Sequence, residues 1–77
     1  MARKIILYTL IDCDRCQLVK QMLDTHGVQY DVIDDTKTLI EYGFEELSFP
    51  IMDVDGDRIE EYADILSWLR KNNYYSL

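Results

Sequence analysis

Residues 4–9, KIILYT, are nearly continuously apolar and rich in β-branched and aromatic side chains, the pattern of a strand covered on both faces. From Asp14 the period changes. Leu18, Val19, Met22 and Leu23 fall at i, i+1, i+4 and i+5, one stripe of a helix over residues 14–26, and Gly27 supplies the left-handed residue that commonly ends one. In VQYDVI, residues 28–33, Val28, Tyr30 and Val32 alternate with Gln29 and Asp31, which predicts a second strand. TLIE, residues 38–41, reads as a capping box opening a second helix with Ile40, Phe44 and Leu47 on one face. After Pro50, IMDV predicts a third strand, the Asp55-Gly56 pair a tight hairpin, and Arg58 and Ile59 an antiparallel return. Ile65, Leu66, Trp68 and Leu69 mark a third helix, whose C-terminal dipole Arg70 and Lys71 complement. The order β-α-β-α-β-β-α predicts an α/β fold: a four-stranded mixed sheet with helices on both faces.

Composition narrows this picture. Seventy-seven residues suffice for one domain over residues 1–77 with a single core. Apolar residues make up 48% of the chain, and one Pro and three Gly interrupt it, which argues for a packed domain rather than disorder. Asp and Glu outnumber Lys and Arg by 15 to 8, for a net charge of −7, so a nucleic-acid backbone would be repelled. An acidic face that steers toward a basic protein remains open. Arg3 and Lys4 before an apolar run give the first residues a superficial likeness to a secretory leader. Tyr8 and Thr9 break that run and no small-residue cleavage site follows, so the segment is expected to be the first strand. No stretch approaches the roughly 18 apolar residues of a membrane span. A cytoplasmic monomer is the expectation.

The chain's two cysteines, Cys13 and Cys16, fall at the junction of the first strand and first helix. A cysteine acts on disulfides as its thiolate, and the unpaired N–H groups and macrodipole of a helix N-terminus stabilise an anion placed there. Cys16 lies one turn along on the same face, within reach of Cys13. Arg15 adds a cation beside the pair, whereas Asp12 and Asp14 oppose the thiolate. The Cys13 thiol is therefore expected below the ordinary value of about 8.5, though less so than in strongly oxidising pairs, and the couple is expected to be reducing. Three other readings stay open: half of a metal site shared between two chains, a structural disulfide, and two unrelated small thiols. His26, the single histidine, sits at the far end of the same helix and reads as a C-terminal residue favoured by the dipole. The DVDGDRIEE stretch looks like a calcium loop, but aligning Gly56 with the loop's glycine puts Ile51 and Tyr62 where carboxylates are needed.

With a CxxC between the first strand and helix, SFP before the third strand and DG between the third and fourth, essentially the whole chain resembles the glutaredoxins. It resembles especially their short relatives that donate electrons to ribonucleotide reductase. The resemblance implies a thioredoxin-like fold and a thiol–disulfide oxidoreductase in which Cys13 attacks and Cys16 resolves. It also implies a cis bond before Pro50, a Phe49 backbone that pairs with an extended substrate, a Tyr8 that covers the disulfide, and an Asp64 able to engage a ligand amino group. No metal or organic cofactor is implied. The reductant is thioredoxin reductase or glutathione.

Three features, at five positions, depart from the glutathione-using members. Asp14 and Arg15 fill the CxxC in place of Pro-Tyr, Leu10 stands where a lysine is usual, and Glu60 and Glu61 replace a Gly-Gly pair. Two carboxylates there repel a tripeptide that carries two of its own, although Arg15 could replace the missing lysine. The departures favour a thioredoxin-reductase-linked donor to ribonucleotide reductase. The rivals are a glutathione-dependent glutaredoxin, a non-catalytic adaptor and a metal-bridged dimer.

Overall fold

The apolar run after Lys4 forms β1 (Ile5–Tyr8), an interior strand of a four-stranded sheet. The computed structural model of the chain describes residues 3–10, 12–35, 41, 43 and 49–75. The sheet runs in the order β2-β1-β3-β4, with β2 at Asp31–Ile33, β3 at Ile51–Val54 and β4 at Asp57–Ile59. Strand β1 pairs parallel with β2 and antiparallel with β3, and β4 returns antiparallel to β3. The parallel pair needs a crossover, which α1 (Asp14–Thr25) supplies. The last helix, α2, spans Tyr62–Lys71. The helix expected after the 38–41 capping box lies outside the described residues.

Alternation along β1 divides its side chains between two environments. Ile5 and Leu7 enter a core with Val19, Met22 and Leu23 of α1, Met52 of β3, and Ile65 and Leu69 of α2. Both described helices share this cluster and so cover the same face of the sheet. Ile6, on the other face, is half-buried in a row between Asp31 of β2 and Asp53 of β3.

Both helices end in the same backbone device. Beyond α1, the Gly27 N–H bonds the Asp24 carbonyl at 3.1 Å and the Val28 N–H the Leu23 carbonyl at 2.9 Å, with Gly27 at φ +66°. Beyond α2, Asn73 at φ +62° takes the glycine's place: its N–H bonds the Arg70 carbonyl at 3.1 Å and the Tyr74 N–H the Leu69 carbonyl at 2.8 Å. These are paired 5→2 and 6→1 closures that satisfy carbonyls the helix cannot. The first closure also shortens β2. Val28 spends its N–H on the helix end, Tyr30 donates its hydroxyl to the Asp24 carboxylate at 2.9 Å, and the ladder begins only at Asp31. Val28 and Tyr30 pack against the core instead of extending the strand.

The Asp55-Gly56 turn has both residues at positive φ, +53° and +93°, as the twist of a two-residue hairpin demands. Its acids are occupied as acceptors. Asp53 takes the Gly56 N–H at 2.9 Å and Asp55 the Lys4 N–H at 2.8 Å, so the calcium-like stretch ties the hairpin tip to the start of β1.

Leu23 is fully buried in the helix-facing core. Leu23→Ala is expected to cost about 2–5 kcal/mol in urea unfolding with an unchanged slope. Partial burial, followed by the Asp24 hydrogen bond and charge, pushes the Tyr30 hydroxyl up from 10.0 to about 12. The neutral phenol is thus the form the fold favours. Its contribution is complete below the ordinary tyrosine value and fades as pH rises through about 12. Ultraviolet titration of tyrosinate is expected to show one tyrosine ionising late, and Tyr30→Phe to remove that phase.

Candidate active site

Five residues separate the end of β1 from the start of α1. Thr9 is buried and its N–H reaches the Ile33 carbonyl at 2.9 Å, which carries the parallel pairing past the end of β1. Asp12, at φ +59°, reverses the chain. Cys13 is the N-cap of α1, extended at φ −103° and ψ 106°, and its carbonyl accepts the Gln17 N–H at 3.1 Å. Its Sγ accepts the Cys16 N–H at 3.1 Å. Sulfur thereby occupies the place that a Ser or Asp oxygen takes in an ordinary helix cap.

Cys13 and Cys16 form a disulfide, with their Cα atoms 5.2 Å apart. The two halves differ in access: Cys13 is half-buried, whereas Cys16 is fully buried. Cys16 packs with Phe49 and Ile51, and Tyr8, Leu10, Cys13 and Ile33 close around them. This second apolar cluster lies at the edge where β1 and β2 end and β3 begins. On opening, the pair would expose one sulfur at a helix N-terminus and keep the other in a dry setting, the arrangement that makes one cysteine the attacking group.

Sequence-selected residues divide between this cluster and its surroundings. Tyr8 and Phe49 join the cysteines directly, and the Phe49–Pro50 bond is cis with both residues buried. The Phe49 ring packs in the cluster of Cys16. Arg15 places its guanidinium 5.1 Å from the ring centroid of Tyr62, the first residue of α2. That cation–π contact joins the first turns of the two helices. Asp64 does not join the cysteine cluster. It lines an open groove of about 510 Å³ between β4 and α2, together with Glu60, Glu61, Arg58, Trp68 and Lys71.

His26 stands at the other end of α1, its ring 5.8 Å from that of Tyr74. A helix of 12 residues separates it from the cysteines by about 18 Å. Among the described residues no group of three or more His, Cys, Asp or Glu is arranged to hold a metal ion. Sequence reasoning passed over Ile33 and Ile51 as parts of the site, and marked Leu10 as the place of a missing lysine rather than as apolar packing. They are apolar residues at strand ends, so the signal was present in the strand order. Tyr62, the partner of Arg15, had no such signal, because the contact depends on how the two helices dock.

No protein-family model matches the chain. Among curated proteins, the Gene 56 protein of Mycobacterium phage D29 is 33% identical over 78 residues, in an alignment covering 83% of this chain and 87% of that protein. Two solved structures share the fold. A Nu-class GST from Haemonchus contortus superposes with a TM-score of 0.74 at 16% identity, over 97% of this chain and 39% of that one, so the chain spans about two fifths of its length. Glutaredoxin 1 from Francisella tularensis, complexed with cacodylate, superposes with a TM-score of 0.68 at 19% identity, over 97% of this chain and 100% of that one. On a thioredoxin-like fold of the glutaredoxin kind, with a cysteine pair at the strand-to-helix junction, the chain belongs to the family of the phage Gene 56 protein.

Proposed function

We propose that the chain is a thiol–disulfide oxidoreductase that reduces protein disulfides through Cys13 and Cys16. The observation that carries this reading is the disulfide's asymmetry: Cys13 caps the helix with its sulfur and is only half-buried, and Cys16 is fully buried one turn away. In the dithiol form, the Cys13 thiolate bonds to one sulfur of the substrate disulfide. The substrate S–S bond breaks, and the departing sulfur leaves as a thiolate that takes a proton. Cys16, as its thiolate, then attacks Cys13 Sγ, the mixed disulfide breaks, and the second substrate thiol leaves. Two electrons pass to the substrate, and the Cys13–Cys16 disulfide is restored. A separate donor must then return the pair to the dithiol.

Ribonucleotide reductase is the electron acceptor that the glutaredoxin resemblance names, with thioredoxin reductase as the donor. Glutathione is less suited to this site. Leu10 packs into the cysteine cluster where a cation would be needed, and Glu60, Glu61 and Asp64 line the adjoining groove. Tyr8, Phe49, Pro50 and Arg15 are proposed to contact the substrate, and Asp64 to sit at the margin of that contact.

Two measurements test the reading. With a reduced reporter protein as product, Cys13→Ser is expected to fall to the uncatalysed rate. Cys16→Ala is expected to retain the first attack and accumulate a mixed disulfide with a stoichiometry of about one per chain, visible by intact mass. Retained turnover in the Cys13 variant would refute the mechanism. Coupled assays run side by side are expected to show faster turnover with thioredoxin reductase than with glutathione and glutathione reductase; the reverse order makes glutathione the donor.

A further inference from the structure

Strand polarity gathers charge around the disulfide. Strands β1, β2 and β4 all run in one direction and β3 opposes them, so the C-terminal ends of three strands lie along the edge that holds the cysteines. Each of those ends leads into a pair of exposed acids: Asp12 and Asp14 after β1, Asp34 and Asp35 after β2, Glu60 and Glu61 after β4. The register fixes their common placement. Tyr8 pairs with Ile33 and with Ile51, and Met52 with Ile59, so the three exits are neighbours along one rim. The Arg15–Tyr62 contact brings the start of α2, with Asp64 in its first turn, to the same rim.

Two described cations reach this edge, both with partners, and a third, Lys71 at the end of α2, lines the far part of the groove that holds Glu60, Glu61 and Asp64. Arg15 lies over the Tyr62 ring, and Arg58 pairs with Glu60 at 3.8 Å. The opposite edge is mixed in sign. Arg3, Lys4, Arg70 and Lys71 gather there with Asp24, Asp55 and Asp57, and Arg3 bonds the Asn72 side chain while lying over Trp68. Among the described residues, seven acids (Asp12, Asp14, Asp34, Asp35, Glu60, Glu61 and Asp64) and two arginines (Arg15 and Arg58) thus stand at the edge that holds the cysteines.

We propose that this rim selects the substrate of the redox pair: protein disulfides flanked by Lys or Arg are preferred, and disulfides flanked by carboxylates are repelled. The inference rests on the oxidoreductase reading above and adds a charge rule to it. The rim and the helix act over different ranges. The first turn of α1 favours a thiolate at Cys13 locally and falls off within that turn. The carboxylate field instead extends over a Debye length and acts on the charge the substrate brings. Beside the sulfurs the surroundings are apolar, with Phe49 and Ile51 themselves buried, so the charge within reach of a substrate is that of the rim.

The chain, reduced with dithiothreitol and freed of it, is to be mixed with three small disulfides. Cystamine carries two ammonium groups, bis(2-hydroxyethyl) disulfide is neutral, and 3,3′-dithiodipropionate carries two carboxylates. In each case Cys13 forms the mixed disulfide, Cys16 displaces the second thiol, and the oxidised chain is read by mass after acid quench. Rates are normalised to those of dithiothreitol with the same disulfides. At about 0.01 M salt, cystamine is expected to exceed dithiodipropionate by at least about tenfold, with the neutral compound between them, and the spread is expected to collapse at about 1 M.

Relative to the neutral disulfide, Glu60→Gln with Glu61→Gln is expected to narrow the spread, and Glu60→Lys with Glu61→Lys to reverse it. If the neutral disulfide oxidises the chain but the charged pair shows no salt-sensitive ordering, the selectivity is refuted and the redox reading stands. If the neutral disulfide fails to react as well, both fall.

Discussion

The first turn of α1 has backbone N–H groups with no partner inside the helix, and the sulfur of Cys13 takes one of them. The rest of the site follows from that constraint. A helix can begin there only if the chain leaves β1 and reverses within a few residues, which Asp12 accomplishes at φ +59°. Once Cys13 is the cap, Cys16 falls one turn inward, where α1 packs on the sheet, and is fully buried with Phe49 and Ile51. The difference between an accessible and a buried sulfur is thus a product of helix geometry, and no other side chain need enforce it.

How much of this was legible in the sequence depended on whether the information was local. Strand β1, helix α1 and the Asp55-Gly56 turn were readable because periodicity, a left-handed glycine and a two-residue turn each carry their signal within a few residues. The start of β2 was not. Val28, Tyr30 and Val32 alternate convincingly, but the Val28 N–H is consumed in closing α1 and Tyr30 is held by Asp24. A competition between neighbouring elements for the same N–H is invisible to a pattern count. Val32 stays 41% exposed on an edge strand despite lying in register with fully buried Leu7.

The cysteine pair was legible as a CxxC, and its meeting with Phe49 and Ile51, on either side of Pro50, was legible only through the strand order, since β3 pairs with β1. Arg15 shows the limit of such reasoning. Its place beside the pair suggested a substrate contact, yet the guanidinium lies over Tyr62, a residue distant in the chain. An exposed contact of this kind contributes about 0.5–1 kcal/mol, enough to bias the side chain and too little to hold it against a better partner.

The two edges of the sheet are built for different tasks. At the far edge, Gly27 and Asn73 close both helices, Tyr74 stacks near both His26 and Trp68, and Asp55 binds the start of β1, so backbone and rings tie four elements together. At the cysteine edge, the strand ends diverge into polar exits, and the apolar contacts gather under the disulfide. The ties at one end leave the other open: in the mixed disulfide of the proposed cycle, Cys16 would approach Cys13 Sγ without the helix shifting on the sheet. The second apolar cluster and the helix closures hold α1 from both its ends, which leaves the bond between the two sulfurs as the part of the site that must change.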